Sequence, residues 1–414
     1  MDICEWSAQW KTAEDARCGG REALSAALSG ARQRTLALFA AYESALGAGL
    51  RVPHSPELNL PLWELGHIGW FNDWWIARNP ERLRGLRADP FQARLPSRNG
   101  QADALYNSSE VAHATRWALA LPDAEAVRNE LQASLNHTLD LLSDTPKNDA
   151  ALYFFRLALF HEDMHTEAAI YMAQTLGFTP FGQGGEPTPW PPTREATSLQ
   201  LPAMEWALGR SGEGFSFDNE LAEHRVQTAA VHIDSAPVSW AAYLPFVENG
   251  AADRRAFWSD AGWTWRQAQA GSAPRYLRRS AEGWEAQRWG QWQPLRLTDS
   301  ACHLTAFEAE AWCRWAGRRL PTEAEWEAAA HLVPGFEWGS VWEWTSSAFA
   351  PFPGFEAHPY RDYSAPWFDG RPVLKGASTA TAPRMRHPRY RNFFTRDRND
   401  IIAGFRSVAD AVHT

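Results

Sequence analysis

Up to Gly177 the hydrophobic positions recur at helical spacing, and four helices are predicted from them. Ala and Leu repeat from Arg21 to Leu46 with few breakers. A second helix is predicted from Pro61 to Ala77, because a missing N–H is harmless in a first turn and Asn79-Pro80 stops the run. Glu81 to Thr115 is too mixed in polarity for one element. Asp123 can cap a third helix reaching Ser143, its carboxylate accepting a backbone N–H that lacks a partner inside the helix. The fourth runs from Asn148 to Leu176 and ends at Gly177, which can take the left-handed turn that closes many helices. Four helices with one long crossover make a bundle with room for a metal between facing helices.

The pattern changes after this point. Gly182, Gly184, Gly185, Pro187, Pro189, Pro191 and Pro192 crowd one stretch, which predicts a linker over 181–196. Residues 1–180 then form a helical unit, and residues 197–414 an irregular α+β unit. In that second unit short β-like runs (Val226 to Ile233, Arg371 to Leu374) alternate with Gly, Trp and turn residues. Only Thr305 to Ala316 and Thr322 to Ala330 read as helices there. The expected fold class is α+β in two domains.

Length supports the division, since 414 residues exceed one ordinary core. A net charge of −9 sets aside nucleic acid and anionic membranes as main partners. The 23 tryptophans, many beside Gly, Pro or Arg, point to aromatic-rich irregular structure. Cys4, Cys18, Cys302 and Cys313 form no CxxC pair or dense framework. A reduced, cytoplasmic setting is expected, with Cys302 and Cys313 as buried thiols. There is no basic-then-apolar leader, and no run approaches the ~18 apolar residues of a membrane span.

Candidate chemistry sits on the second and fourth helices. His161 and His165 are four residues apart, which stacks both imidazoles on one helix face at a separation of ~5–6 Å between Cβ atoms, as two ligands of one metal require. His67, flanked by Gly66 and Gly69 in an otherwise apolar helix, is the third candidate ligand once the helices face each other. By itself it reads as a satisfied core histidine. His161-Glu162-x-x-His165 also matches a zinc-hydrolase signature with Glu162 as general base. The longer protease pattern fails, because Ala168 and Tyr171 stand where glycine and histidine are needed. Asp163 and Glu167 are candidates to orient the histidines through their other ring nitrogens.

The segments LWELGHIGWF and HEDMHTEA resemble the DinB-type bundle of the ergothioneine sulfoxide synthases. Pro237-Val238-Ser239 with Tyr243, Ala306 to Ala330, Gly339 to Ser347 and Ala403 to Arg406 resemble the formylglycine-generating-enzyme (C-type-lectin-like) fold. PLWELGHIGWFNDWWIARNPER and DALYNSSEVAHATRWALALPD are most similar to the selenoneine-forming branch. The resemblance implies a non-haem Fe(II) oxidoreductase that uses O₂ and holds its metal on His67, His161 and His165. It implies small-molecule substrates: hercynine and a selenosugar, 1-seleno-β-D-glucose, or cysteine or γ-glutamylcysteine if the sulfur branch applies.

Residue roles follow from the same resemblance. Tyr363, with Tyr360 as neighbour, falls in the family's tyrosine loop and is expected to give a proton to reduced oxygen; the alternative is two tyrosines packed on a Trp-rich surface. Asn392 would meet the betaine end of hercynine and Phe393 its trimethylammonium. Phe394 stands where γ-glutamylcysteine users carry an acid, and Met164 where they carry a polar residue. Arg398, ahead of Arg396, would serve a substrate carboxylate. Trp342 and Trp344 are expected to support the fold, and the formylglycine enzyme's own catalytic cysteine pair is not evident.

Overall fold

The computed structural model describes residues 10–181 and 195–411, so the predicted linker lies almost wholly outside the described residues. The first part holds helices α1 (Lys11–Cys18), α2 (Arg21–Leu46), α3 (Pro61–Asn72), α4 (Ala102–Tyr106), α5 (Ala124–Ser143) and α6 (Asp149–Leu176). The capping chemistry is as expected. Asp123 and Asn148 accept the N–H groups of Ala126 and Ala151, and Gly177 closes α6 at φ 81°. Helix α3 continues to Ala77, but its last turn, Asp73–Ala77, is π-helical. Helix α2 packs on α6 and α5, and α3 packs on α5 and α6, which completes a four-helix bundle.

Helix α6 is buried on every face from Ala151 to Asp163, because the bundle covers one side and the second half of the chain the other. Truncating a side chain such as Phe154 or Phe155 would cost about 3–5 kcal/mol. Charges in such a helix need partners. Glu162 pairs with Arg32 at 2.8 Å, and Asp163 pairs with Arg384 of the second half at 2.5 Å. Helix α1 leans toward the second half too, through Arg17–Glu220 at 2.7 Å and Glu14–Arg210 at 2.8 Å.

In that second half, helices α7 (Trp240–Glu248), α8 (Asp260–Gln267), α9 (Ala306–Trp315) and α10 (Glu323–Leu332) surround four small sheets. Helices α9 and α10 open on Thr–Glu capping boxes that are visible in the sequence. Two helices, α7 and α8, depart from expectation. Both are short, and α7 carries Pro245 while burying Trp240, Tyr243, Leu244 and Phe246, so packing rather than periodicity makes it. The predicted run Val226 to Ile233 is also divided. His224–Thr228 pairs with Met204–Leu208, and Val231–Asp234 enters a different sheet. The four-stranded sheet matters most for function: Trp342–Ala348 and Pro372–Lys375 form its centre, with Asn392–Phe393 and Ala403–Gly404 at its edges. Cys302 and Cys313 are buried free thiols, and no helix among the described residues is long and apolar enough to cross a membrane.

Candidate metal centre

Helix α3 supplies His67 and helix α6 supplies His161 and His165. The Nε2 atom of His161 lies 3.2 Å from those of both His67 and His165. His67 is clamped by Trp63, stacked at 4.7 Å, and His161 by Phe71, stacked at 3.5 Å. His67 donates Nδ1–H to the Tyr106 carbonyl at 2.8 Å. That contact depends on Gly66, where a Cβ would lie 2.1 Å from the Tyr106 ring. His165 donates Nδ1–H to Glu64 Oε2, one helical turn before His67. His161 Nδ1 is buried and without a partner among the described residues.

Burial lowers the pKa of His67 to about 3 and that of His161 well below its ordinary value, so both rings are neutral. With their Nδ1 atoms carrying hydrogens, His67 and His165 present Nε2 lone pairs to one point. Lone pairs at this separation repel unless a Lewis acid sits between them. Ligands at right angles on metal–nitrogen bonds of ~2.0–2.1 Å would stand ~3 Å apart. The three histidines therefore fit a divalent metal, with Glu64 and the Tyr106 carbonyl fixing ring orientation.

The residues expected to orient the rings do other work. Asp163 is held by Arg384, while Glu167 accepts hydrogen bonds from Trp342, Ser378 and Thr381. Glu64 takes the orienting role; its i, i+3 spacing from His67 was the available signal. Glu162 cannot serve as a general base toward the metal. It receives hydrogen bonds from Arg32 and Thr35 in a fully buried ion pair on another side of the helix.

Beside the histidines lies a cavity of about 200 Å³, which brings together Met164, Tyr363, Asn392, Phe393 and Phe394. Tyr363 and Tyr390 share a hydrogen bond at 3.0 Å, and the Tyr390 hydroxyl donates to Met164 Sδ at 3.5 Å. Desolvation pushes both phenols up, so both remain protonated.

Comparison with known proteins decides the family. The chain is 31% identical to the hercynine oxygenase of Mycolicibacterium smegmatis, over 94% of this chain and 99% of that protein. The chain belongs to the hercynine oxygenase family. The Mycobacterium tuberculosis hercynine oxygenase is 29% identical, again over 94% of this chain and 99% of its own length. The formylglycine-generating enzyme of Streptomyces coelicolor is 27% identical over 51% of this chain and 89% of its own. Residues 190–338 match the sulfatase-modifying factor enzyme 1-like domain.

In this hercynine oxygenase family member the pocket residues from Tyr363 onward lie beyond that domain match. Three sequence candidates stand apart from the cavity. Tyr360 packs edge-on against Phe71 at 5.0 Å rather than lining it. Arg398 is bound to Asp400 through two hydrogen bonds and lies 4.9 Å from the Phe394 ring, so its charge is already matched. Arg396 pairs with Glu310. Trp344 is fully buried with its N–H on the Leu304 carbonyl, a supporting role, whereas Trp342 both lines the cavity and ties the two halves together through Glu167. Sequence reasoning missed Tyr390, and had placed Glu167 against the histidines rather than in this cavity.

Proposed function

We propose that this chain is an O₂-dependent Fe(II) enzyme that joins selenium from a selenosugar, 1-seleno-β-D-glucose, to the imidazole carbon between the ring nitrogens of hercynine. The observation that carries the reading is the convergence of three imidazole Nε2 atoms beside a cavity with both an aromatic face and a carboxylate. A DinB-like bundle (1–180) carries the metal, and the chain beyond the 181–196 linker supplies the pocket.

Iron(II) held by His67, His161 and His165 would supply open coordination positions and redox chemistry with O₂. The overall step balances when the imidazole C–H and the selenol Se–H are joined. O₂ takes up four electrons, two from forming the C–Se bond and two from oxidising selenium, to give a selenoxide and one water. Tyr363 would pass a proton to the reduced oxygen and regain one released from the imidazole C–H or the selenol, with the Tyr390 hydroxyl 3.0 Å away as its resting partner. Phe393 offers a ring to the trimethylammonium, and Glu167, whose hydrogen bonds all fall on Oε1, leaves Oε2 to counter the charge. Asn392 would contact the betaine end. Phe394, in place of an acid, suits a donor without an amine.

Anaerobically prepared protein with Fe(II), hercynine and selenoglucose is expected to yield a selenium-containing imidazole by mass spectrometry once O₂ is admitted. Consumption of cysteine or γ-glutamylcysteine instead would replace selenium with sulfur. Activity with zinc and no iron would reject the oxidative reading altogether.

A further inference from the structure

The segment from Phe394 to Ile402 serves two cavities. Phe394 and Ile401 face the pocket beside the histidines, while Asp397 and Asn399 line another, of about 490 Å³. The second cavity falls within the size range of small-molecule sites. Its wall mixes the aromatic rings of Tyr243, Trp258 and Trp265 with Glu308, Arg266 and Asp397.

Several polar groups there have unused bonding capacity. Glu308 is 6% exposed, and Thr305 donates both its N–H and its hydroxyl to Oε2. Oε1 has no hydrogen bond among the described residues. Burial pushes this carboxyl up to about 7, so near neutral pH it can donate as well as accept. Arg266 spends Nη2 on Asp253, leaving Nη1 without a partner among the described residues. Asp397 is exposed at the rim and likewise unpaired among the described residues.

Free acceptors and a free donor in one cavity call for a ligand group that is both, which is the property of a hydroxyl. Trp258 and Trp265, with ring centroids 6.1 Å apart, offer apolar surface to the C–H faces of a ring. A quaternary ammonium would use the aromatic surface but has no hydrogen for Glu308 and no acceptor for Arg266. An anion would meet the exposed carboxylate of Asp397, and the cavity's other guanidinium, Arg275, is already paired with Glu57.

We propose that this cavity is a separate binding site for a neutral polyhydroxylated ring, of the pyranoside class. The site stands on its own lining and does not rest on the iron or selenium reading. The test is saturation-transfer NMR on the full-length protein with methyl β-D-glucopyranoside and maltose, and choline as competitor. Transfer to the sugar-ring protons is expected, with affinity falling at least tenfold in Trp265→Ala and several-fold in Asp397→Ala, and unchanged in Asn392→Ala. Asp397 is exposed, so its variant reads the site even if Trp265→Ala folds poorly. Absence of transfer to either glycoside, unchanged affinity in Asp397→Ala, displacement by choline, or loss in Asn392→Ala would each overturn the assignment.

Discussion

Glu64 accepts the Nδ1–H of His165 across the bundle, so a carboxylate on α3 orients a histidine on α6 while His67, three residues further along α3, faces the same point. One helix therefore both supplies a ligand and positions another. Carboxylate–imidazole contacts of this kind are worth about 10–100-fold in metal affinity. Glu64→Ala is expected to weaken Fe(II) or Co(II) binding by that factor, measured by chelator competition, with the helical circular dichroism unchanged. Wild-type affinity in this variant would show that His165 needs no carboxylate.

Tyr363→Phe removes the hydroxyl proton and keeps the ring stacked 4.4 Å from Phe217. A lost proton donor lowers turnover by about 10²–10⁴-fold. That fall is expected in kcat with little change in KM for hercynine, and Tyr390→Phe should lose less. A change confined to KM would assign Tyr363 to binding instead.

Gly66→Ala would drive a methyl group into the Tyr106 ring, whose backbone carbonyl holds His67. Overpacking of this kind destabilises by about 1–3 kcal/mol. Denaturant midpoints should fall accordingly, and metal affinity should fall with them. Gly69→Ala is the control, since a Cβ there meets Leu131 at an ordinary 3.5 Å. Equal effects at the two glycines would contradict the Tyr106 contact.

Glu308 links stability to pH. Burial raises its folded pKa from 4.5 to about 7, against the opposing charge of Arg266 and beside the Tyr243 phenol. The folded state then binds the proton more tightly than the unfolded one. Its contribution is full below about pH 4.5 and is lost as pH rises through 7, on the order of 3 kcal/mol in all. Urea unfolding should show wild type losing stability relative to Glu308→Gln across this window. A constant difference between the two would remove Glu308 as the source.

Helix limits were readable because they depend on residues only a few positions apart. Asp123 and Asn148 open their helices by local hydrogen bonds, Gly177 closes one by its backbone freedom, and the His161/His165 pair follows from helical geometry alone. Long-range pairing was not readable. Asp163 and Glu167 had the right chemistry and spacing to orient the histidines, yet the second half of the chain supplied Arg384 and Trp342 to engage them. Tyr360 does lie beside Tyr363, 6.1 Å between ring centroids, but nothing in the local sequence showed that Tyr390, 27 residues further on, would reach the cavity and bond to Tyr363. Arg398 turned to Asp400, two residues away. Periodicity and capping set the bundle and its pair of histidines within one helix. Packing of distant segments, where buried charges must find partners, decided the orienting carboxylate, the tyrosine pair and the shape of the pocket.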